Sequence, residues 1–284
     1  MKILLEKDKK MHLVDHLLMI LALTFIMLPL FVALITSITP TSEAYRAAFT
    51  WFPKSVTFQG FIDAFTIDTG APNLLKAFFN TLWIYLPSTI CGVMLSAAAA
   101  YAFAKIEFKL SKPLFAFLMS GLTLPNCMGT IASFLLFDTL GWVDTALPLI
   151  VPRMMGSIGI VFFLRQFYVG IPDDLIGAAK VDGLTDAGIF LRLMLPISKP
   201  ALISQFILEF IVGFNDHLGP LLYLQNSELY PLTLTLSFFQ EAYVQNWPMQ
   251  MAGCIIAMVP LVILYLIAQK YLLKGIVISS GIKG

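Results

Sequence analysis

Apolar residues run in blocks of about twenty along this chain, the length that crosses the hydrocarbon core of a bilayer. The blocks fall at 15–38, 76–104, 113–137, 146–168, 200–224 and 248–273. A lone apolar segment in lipid has to bond its own amides, so each block reads as a helix. The pattern predicts an all-α integral membrane protein of six transmembrane helices. It has a polar N-terminus over 1–14 and one membrane domain over 15–284, ending in a tail over 274–284. The longest polar break between later blocks, 171–199, carries a second, shorter pattern. Pro172 suits a first helical turn, where a missing N–H is harmless. Asp173 and Asp174 favour the positive end of that helix. Leu175, Ala178 and Ala179 fall at i, i+3 and i+4 and give one small, apolar face. Gly183 suits a left-handed stop. Thr185 and Asp186 then cap a second helix through Phe190 and Leu193, which Pro196 ends. The break therefore reads as a helix–turn–helix at the membrane surface.

Composition agrees with the pattern. Of 284 residues, 58% are hydrophobic and 12% are charged, against about 25% charged in soluble domains, and mean hydropathy is +0.85. A net charge of +1 offers nothing to nucleic acid. Lys2, Lys7, Lys9 and Lys10 precede the first block, whose apolar run of 19 residues from Leu17 to Ile35 exceeds the roughly 7–15 of a signal peptide. The block reads as a retained first helix. Lys and Arg concentrate in the N-terminus, 105–112, 169–199 and the tail, whereas the opposite segments hold only Arg46 and Lys54, with Lys76 at the border. The positive-inside rule places both termini and the 171–199 loop in the cytoplasm.

Candidate chemistry is sparse. Cys91, Cys127 and Cys254 lie in apolar runs without metal-ligand spacing and read as free thiols at helix interfaces. No phosphate-cradling G-x-x-x-x-G-K-[ST] occurs, so ATP hydrolysis is not expected of this chain. Polar residues inside a span are expensive and often functional. The fifth block holds Gln205, Glu209, Asn215, Asp216 and His217, with Gln205, Glu209 and Asp216 at i, i+4 and i+11 on roughly one face. Two readings stand: the lining of a polar pathway, or Asn215 and Asp216 capping a helix break while Glu209 is met by a partner chain. Asp138, Asp144 and Arg153 read as ordinary interface charges near the outer edge. Prolines 29, 87, 125, 148, 152, 220 and 260 read as kinks or as hinges around a pathway. The outer segment 225–247, with Tyr230, Phe238, Phe239, Tyr243 and Trp247, reads as membrane-interface anchors or as a reach toward a partner. The outer segment 39–75 reads as a short cap.

The order of these motifs resembles a known family. Leu175-Ile176-Gly177-Ala178-Ala179-Lys180-Val181-Asp182-Gly183, with Leu195-Pro196 and Lys199-Pro200, is similar to the EAA loop of permease subunits of ATP-binding-cassette importers. Asn80-Thr81-Leu82, Ala100-Tyr101-Ala102-Phe103-Ala104-Lys105, Leu124-Pro125, Phe163-Leu164-Arg165-Gln166-Phe167, Phe214-Asn215-Asp216 with Pro220, and Gln269-Lys270-Tyr271 with Gly275 and Gly281-Ile282-Lys283-Gly284 continue the likeness over roughly residues 75–284. They resemble the carbohydrate-uptake branch, of the maltose-type second permease. Gly177 stands where the motif has Glu, Phe214 where it has Trp, and Gly281 where it has Ala. The resemblance implies a prokaryotic plasma-membrane permease that pairs with a second permease. Two ATPase subunits would hold ATP and Mg, and an extracytoplasmic sugar-binding protein would deliver the cargo. It also implies coupling to the ATPase through Asp174, Gly177, Ala178, Ala179, Asp182, Gly183 and Phe190, and a substrate pathway along Gln205, Glu209, Asn215 and Asp216. Asp173 or Asp174 would supply the acidic contact that Gly177 lacks. A self-sufficient secondary transporter and a non-transporting scaffold are the competing classes. The first calls for intramembrane ion sites and often inverted repeats, and no repeat relates the two halves.

Overall fold

Helices follow one another in this order in the computed structural model: α1 Leu13–Ser37, α2 Gln59–Thr66, α3 Leu74–Lys105, α4 Ser111–Ser120, α5 Thr130–Thr139, α6 Leu147–Met154, α7 Ile158–Val169, α8 Asp173–Val181, α9 Asp186–Ile197, α10 Lys199–Phe214, α11 Leu218–Tyr223, α12 Leu232–Ala242 and α13 Trp247–Gly281. The structure describes residues 13–45, 51–67, 70–242 and 246–281. The lysines at 2, 7, 9 and 10, Tyr243 and the last three residues of the terminal motif lie outside them.

Among the described residues four helices are long and apolar enough to cross a bilayer, 15–37, 74–105, 147–169 and 247–267. A fifth arises if α9 and α10, bent by 78° to each other, count as one span. The block at 113–137 is not one continuous helix. It is α4 and α5, separated by two single turns at 121–123 and 126–129. Pro125 explains the break, because it has no N–H to donate and biases Leu124 toward the extended backbone that Leu124 adopts. The fourth block breaks at 155–157, where Gly156 has a φ of +94°. The fifth breaks after Phe214.

The chain divides into two units. In the unit formed by 1–69 and 239–256, most of α1 is exposed apolar side chain, suited to lipid. Its end is the packed part. Ile35, Ser37 and Thr39 are buried, and the Thr57 amide donates to the Ile38 carbonyl at 2.9 Å. The backbone of Pro248 passes so close to Gly60 that a β-carbon there would meet it at 2.8 Å. The outer segment 39–75 thus folds back over the end of α1 as far as 67.

The unit formed by 70–238 and 257–284 is organised by α3. One stripe of α3 is buried: Tyr85, Ser88, Thr89, Gly92, Val93, Ser96, Ala97, Ala100 and Tyr101. The spacing is that of a single helical face. Most of these residues are small, as close helix approach in a membrane requires. The opposite face shows Leu75, Phe79, Trp83, Leu86 and Ile90, all large, apolar and exposed. Helices α6, α7 and α10 lie along the small face. The contact is closest at Gly92, where an added β-carbon would sit 2.4 Å from the Arg153 carbonyl oxygen. One turn on, the Ser96 hydroxyl accepts from the Ser157 amide at 3.0 Å.

Cys91 and Cys254 are exposed rather than filling helix interfaces. Cys91 lies beside the small stripe of α3, not in it.

Two glycines in this unit should respond oppositely to alanine. Gly92→Ala should destabilise the protein by about 1–3 kcal/mol, the range for overpacking against a neighbour that cannot yield. Gly177, in α8, has nothing within 4 Å of an added β-carbon. Gly177→Ala should stabilise by about 0.5–1 kcal/mol through helix propensity. Thermal unfolding of the purified protein in detergent reads both.

Candidate functional site

Two polar constructions occupy opposite ends of α3. The first is the 171–199 loop. Pro172 takes the N-cap position of α8 with an extended ψ of 135°. Gly183 has a φ of +86°, the left-handed stop expected of it. The Thr185 hydroxyl caps α9 by accepting from the Gly188 amide at 3.2 Å. Lys105, at the end of α3, fixes the start of the loop by donating to the Ile171 carbonyl and the Asp173 carboxylate, both at 2.6 Å. Its side chain is 5% exposed. Asp173 is thereby engaged within the chain, and Asp174 remains exposed.

The loop has an inner and an outer face, and the division differs from that read in the sequence. Ile176 and Ala179 from α8, and Ile189 and Met194 from α9, are buried in one core with Val93, Ala97, Ala100, Ile160 and Leu164. Ala179 therefore belongs to the chain's own core and not to a free small-residue face. The physical reason is helical phase: Ile176 and Ala179 are three apart and turn together into the core, which separates Ala179 from Leu175 and Ala178. Leu175 (45% exposed), Ala178 and Val181 (88% exposed) point outward, with Gly177 and Asp182 beside them. Phe190 turns inward, its ring 5.5 Å from that of Tyr101. Pro196 does not end the second helix. A π turn at Phe190–Met194 carries it to Ile197, and the sharp bend follows at Ser198. The Ser198 hydroxyl is buried, donates to the Met194 carbonyl and pairs with the Tyr168 hydroxyl at 3.1 Å.

The second construction joins α3, α6 and α10. Arg153 donates to the Glu209 carboxylate at 2.7 Å and to the Glu209 carbonyl at 3.3 Å. Its guanidinium lies 5.2 Å from the centre of the Tyr85 ring. The Tyr85 hydroxyl donates to Asp216 at 3.1 Å, and the other Asp216 oxygen accepts the Gly219 amide at 3.0 Å. Gly213 makes room for this, since a β-carbon there would meet the Tyr85 ring at 2.7 Å and the Arg153 guanidinium carbon at 3.2 Å. Glu209 and Asp216 are thus brought together through Arg153 and Tyr85. Gln205 is not part of the network, and Asn215 is exposed with its amide turned back to the Ile211 carbonyl. Of the two sequence readings, Asp216 does cap the helix break. Glu209 is met by Arg153 of its own chain. Arg153 is therefore no ordinary interface charge. An arginine inside an apolar block calls for a partner, and that was the signal which could have paired it with Glu209. Tyr85 carried no signal in an apolar run.

Asp144, with a φ of 63°, accepts from the amides of Gln225 and Asn226 at 2.9 and 2.6 Å. The Asn80 amide donates to the carbonyls of Glu228 and Tyr230, and Lys76 is ion-paired with Glu228. Tyr230 is buried and stacks on Phe238 at 5.2 Å. These bonds tie 225–230 to the start of α3.

A family model described as the inner membrane component of binding-protein-dependent transport systems matches residues 92–278. The chain belongs to this family. The match takes in α3 from Gly92, the 171–199 loop and the Arg153–Glu209 pair. The arabinooligosaccharides transport system permease protein AraQ of Bacillus subtilis is 31% identical, over 94% of this chain and 93% of its own length. A probable ABC transporter permease of Pyrococcus horikoshii is 32% identical, over 88% of this chain and 91% of its own. Among solved structures, a chain of a bacterial ABC transporter involved in import of the acidic polysaccharide alginate shares the fold. Its TM-score is 0.78 at 19% identity, covering 93% of this chain and 97% of that one. The family member described here is therefore an ABC transporter permease, a transport component of the inner membrane and not an enzyme.

The ion pair makes a test. Glu209→Leu should strand a largely buried arginine and destabilise the permease by about 3 kcal/mol. Arg153→Leu combined with Glu209→Leu should recover most of that loss. Unfolding midpoints of the single and double variants check it, and strictly additive losses would show that the pair does not interact.

Proposed function

We propose that this permease is one of two membrane subunits of an ATP-driven importer for a sugar or oligosaccharide, forming half of the translocation pathway. The observation that carries the reading is the two-faced loop. Its inner face is part of the core of the spans, and its outer face presents Leu175, Ala178 and Val181 to water. Movement imposed on the outer face is transmitted to α3 and α7 because packed interiors shift as units. The partners are a second permease, two ATPase subunits holding ATP and Mg, and an extracytoplasmic sugar-binding protein. The sugar class is supported by the arabinooligosaccharide relative. The chain crosses the prokaryotic plasma membrane six times as a single permease domain over 15–284, with broken helices as the third, fourth and fifth crossings. Both termini and the loop lie in the cytoplasm.

Among the coupling residues, Asp174, Gly177, Ala178 and Asp182 face the ATPase, while Ala179, Gly183 and Phe190 hold the loop's shape. Asp174, one helical turn before Gly177, supplies the acidic group that Gly177 lacks. Along the pathway, Glu209 and Asp216 hold Arg153 and Tyr85 in place, and Gln205 and Asn215 remain the groups available to sugar hydroxyls.

Reconstitution in proteoliposomes tests this. The full complex should accumulate labelled oligosaccharide only with ATP and the binding protein, and the chain alone should neither bind ATP nor transport. Ala178→Asp should leave the permease folded and reduce retention of the ATPase subunits, because it puts a charge into an apolar contact. Ala179→Asp should instead destabilise the permease itself. Uptake by the chain alone, driven by an ion gradient, would overturn the reading.

A further inference from the structure

Two helix breaks face each other in the unit built on α3. The first lies between α4 and α5, the second between α6 and α7. Gly121 marks the contact, since a β-carbon there would meet the Ile158 side chain at 2.8 Å. Small-ligand sites occupy about 300–1,000 Å³, and the cavity between these breaks measures about 460 Å³. Gly121, Leu122, Leu124 and Pro125 line one side, and Ser157 and Gly159 the other.

Depth follows from helix lengths. Helix α4 has 10 residues from its cytoplasmic end to its break, and α7 has 12. At about 1.5 Å per residue these are about 15 and 18 Å, roughly half of a hydrocarbon core of about 30 Å. Both breaks therefore lie near the middle of the membrane. The segment is also left uncovered by the rest of the chain, with Leu122 54% and Leu124 66% exposed. Non-helical backbone at this depth is stable only where it is buried in protein or lines a water-filled space, because lipid would leave its amides and carbonyls without partners.

We propose that the facing breaks form a hydrated crevice of the translocation pathway, which takes the uncharged hydroxyl face of the transported sugar. Neutral backbone donors and acceptors, with the Ser157 hydroxyl, match sugar hydroxyls, and no charged side chain is among the lining residues. This moves the centre of sugar contact away from the fifth span, where the charges are engaged with one another. The inference rests on the reading of the chain as a sugar permease.

The test uses the full complex with Cys91, Cys127 and Cys254 replaced by alanine, in variants shown to retain uptake. Leu122→Cys and Leu124→Cys should react with a water-soluble methanethiosulfonate reagent in at least one nucleotide state. Phe25→Cys, on the exposed apolar surface of α1, should not react. The oligosaccharide that the wild-type complex accumulates, present at about ten times its half-saturating concentration, should slow labelling of Leu124→Cys about tenfold by mass action. No labelling at either position in every nucleotide state, with uptake intact, would overturn the crevice. Labelling that the sugar does not slow would overturn sugar contact. A wild-type complex that accumulates no sugar would instead defeat the functional reading, while the labelling pattern still reports whether the breaks are hydrated.

Discussion

Hydrocarbon offers a polypeptide no hydrogen-bond partners, and the architecture of this permease follows from that constraint. Long helices satisfy their own backbones. What then holds them together is close packing, because lipid is as apolar as leucine. The small stripe on α3 meets that need. Gly92 admits the Arg153 carbonyl, Ser96 receives the Ser157 amide, and Ala97 and Ala100 seat α7 and the loop. Departures from helix are compensated locally. Asp216 caps the break after α10, and the Arg153–Glu209 pair neutralises two charges in the same stroke that joins α6 to α10.

The same α3 stripe links the 171–199 loop to the ion pair. Tyr85 touches Arg153 and Asp216 near one end, and Tyr101 packs against Phe190 and Tyr168 near the other. A rigid helix bearing both contacts relates loop position to the geometry of the break above it. Lys105 closes the arrangement by binding Ile171 and Asp173 where the loop begins. The lysine concentration that reports orientation in the sequence thus includes a residue with a specific structural duty.

Much of this was legible from pattern. Hydropathy located α1, α3 and the start of α13 to within a few residues, because length and apolarity alone determine a span, while α13 runs on to Gly281, past the end of the apolar block at 273. Gly183 and Thr185 were readable because a left-handed stop and a hydroxyl cap are local requirements. Motif order identified the family before any geometry. The failures are non-local. The break at 121–129 lies inside a block that hydropathy reads as one span, and the break it faces at 155–157 is more than twenty-five positions away. Arg153 and Glu209 are 56 positions apart, so neither names the other. Ala179 is buried and Ala178 exposed because Ile176 sets the phase of α8 against the core, and that choice depends on α3 and α7.

The central claim is that the loop is rigidly joined to the spans by one face and driven through the other. Site-specific disulfide crosslinking between the loop and the ATPase subunit measures it most directly. Cysteine at Val181, on the outer face, should crosslink to a cysteine on the ATPase surface and, once crosslinked, block sugar uptake. Cysteine at Ile176, on the inner face, should form no crosslink to the ATPase. A crosslink from position 176 with none from 181, or full uptake with position 181 crosslinked, would contradict the account.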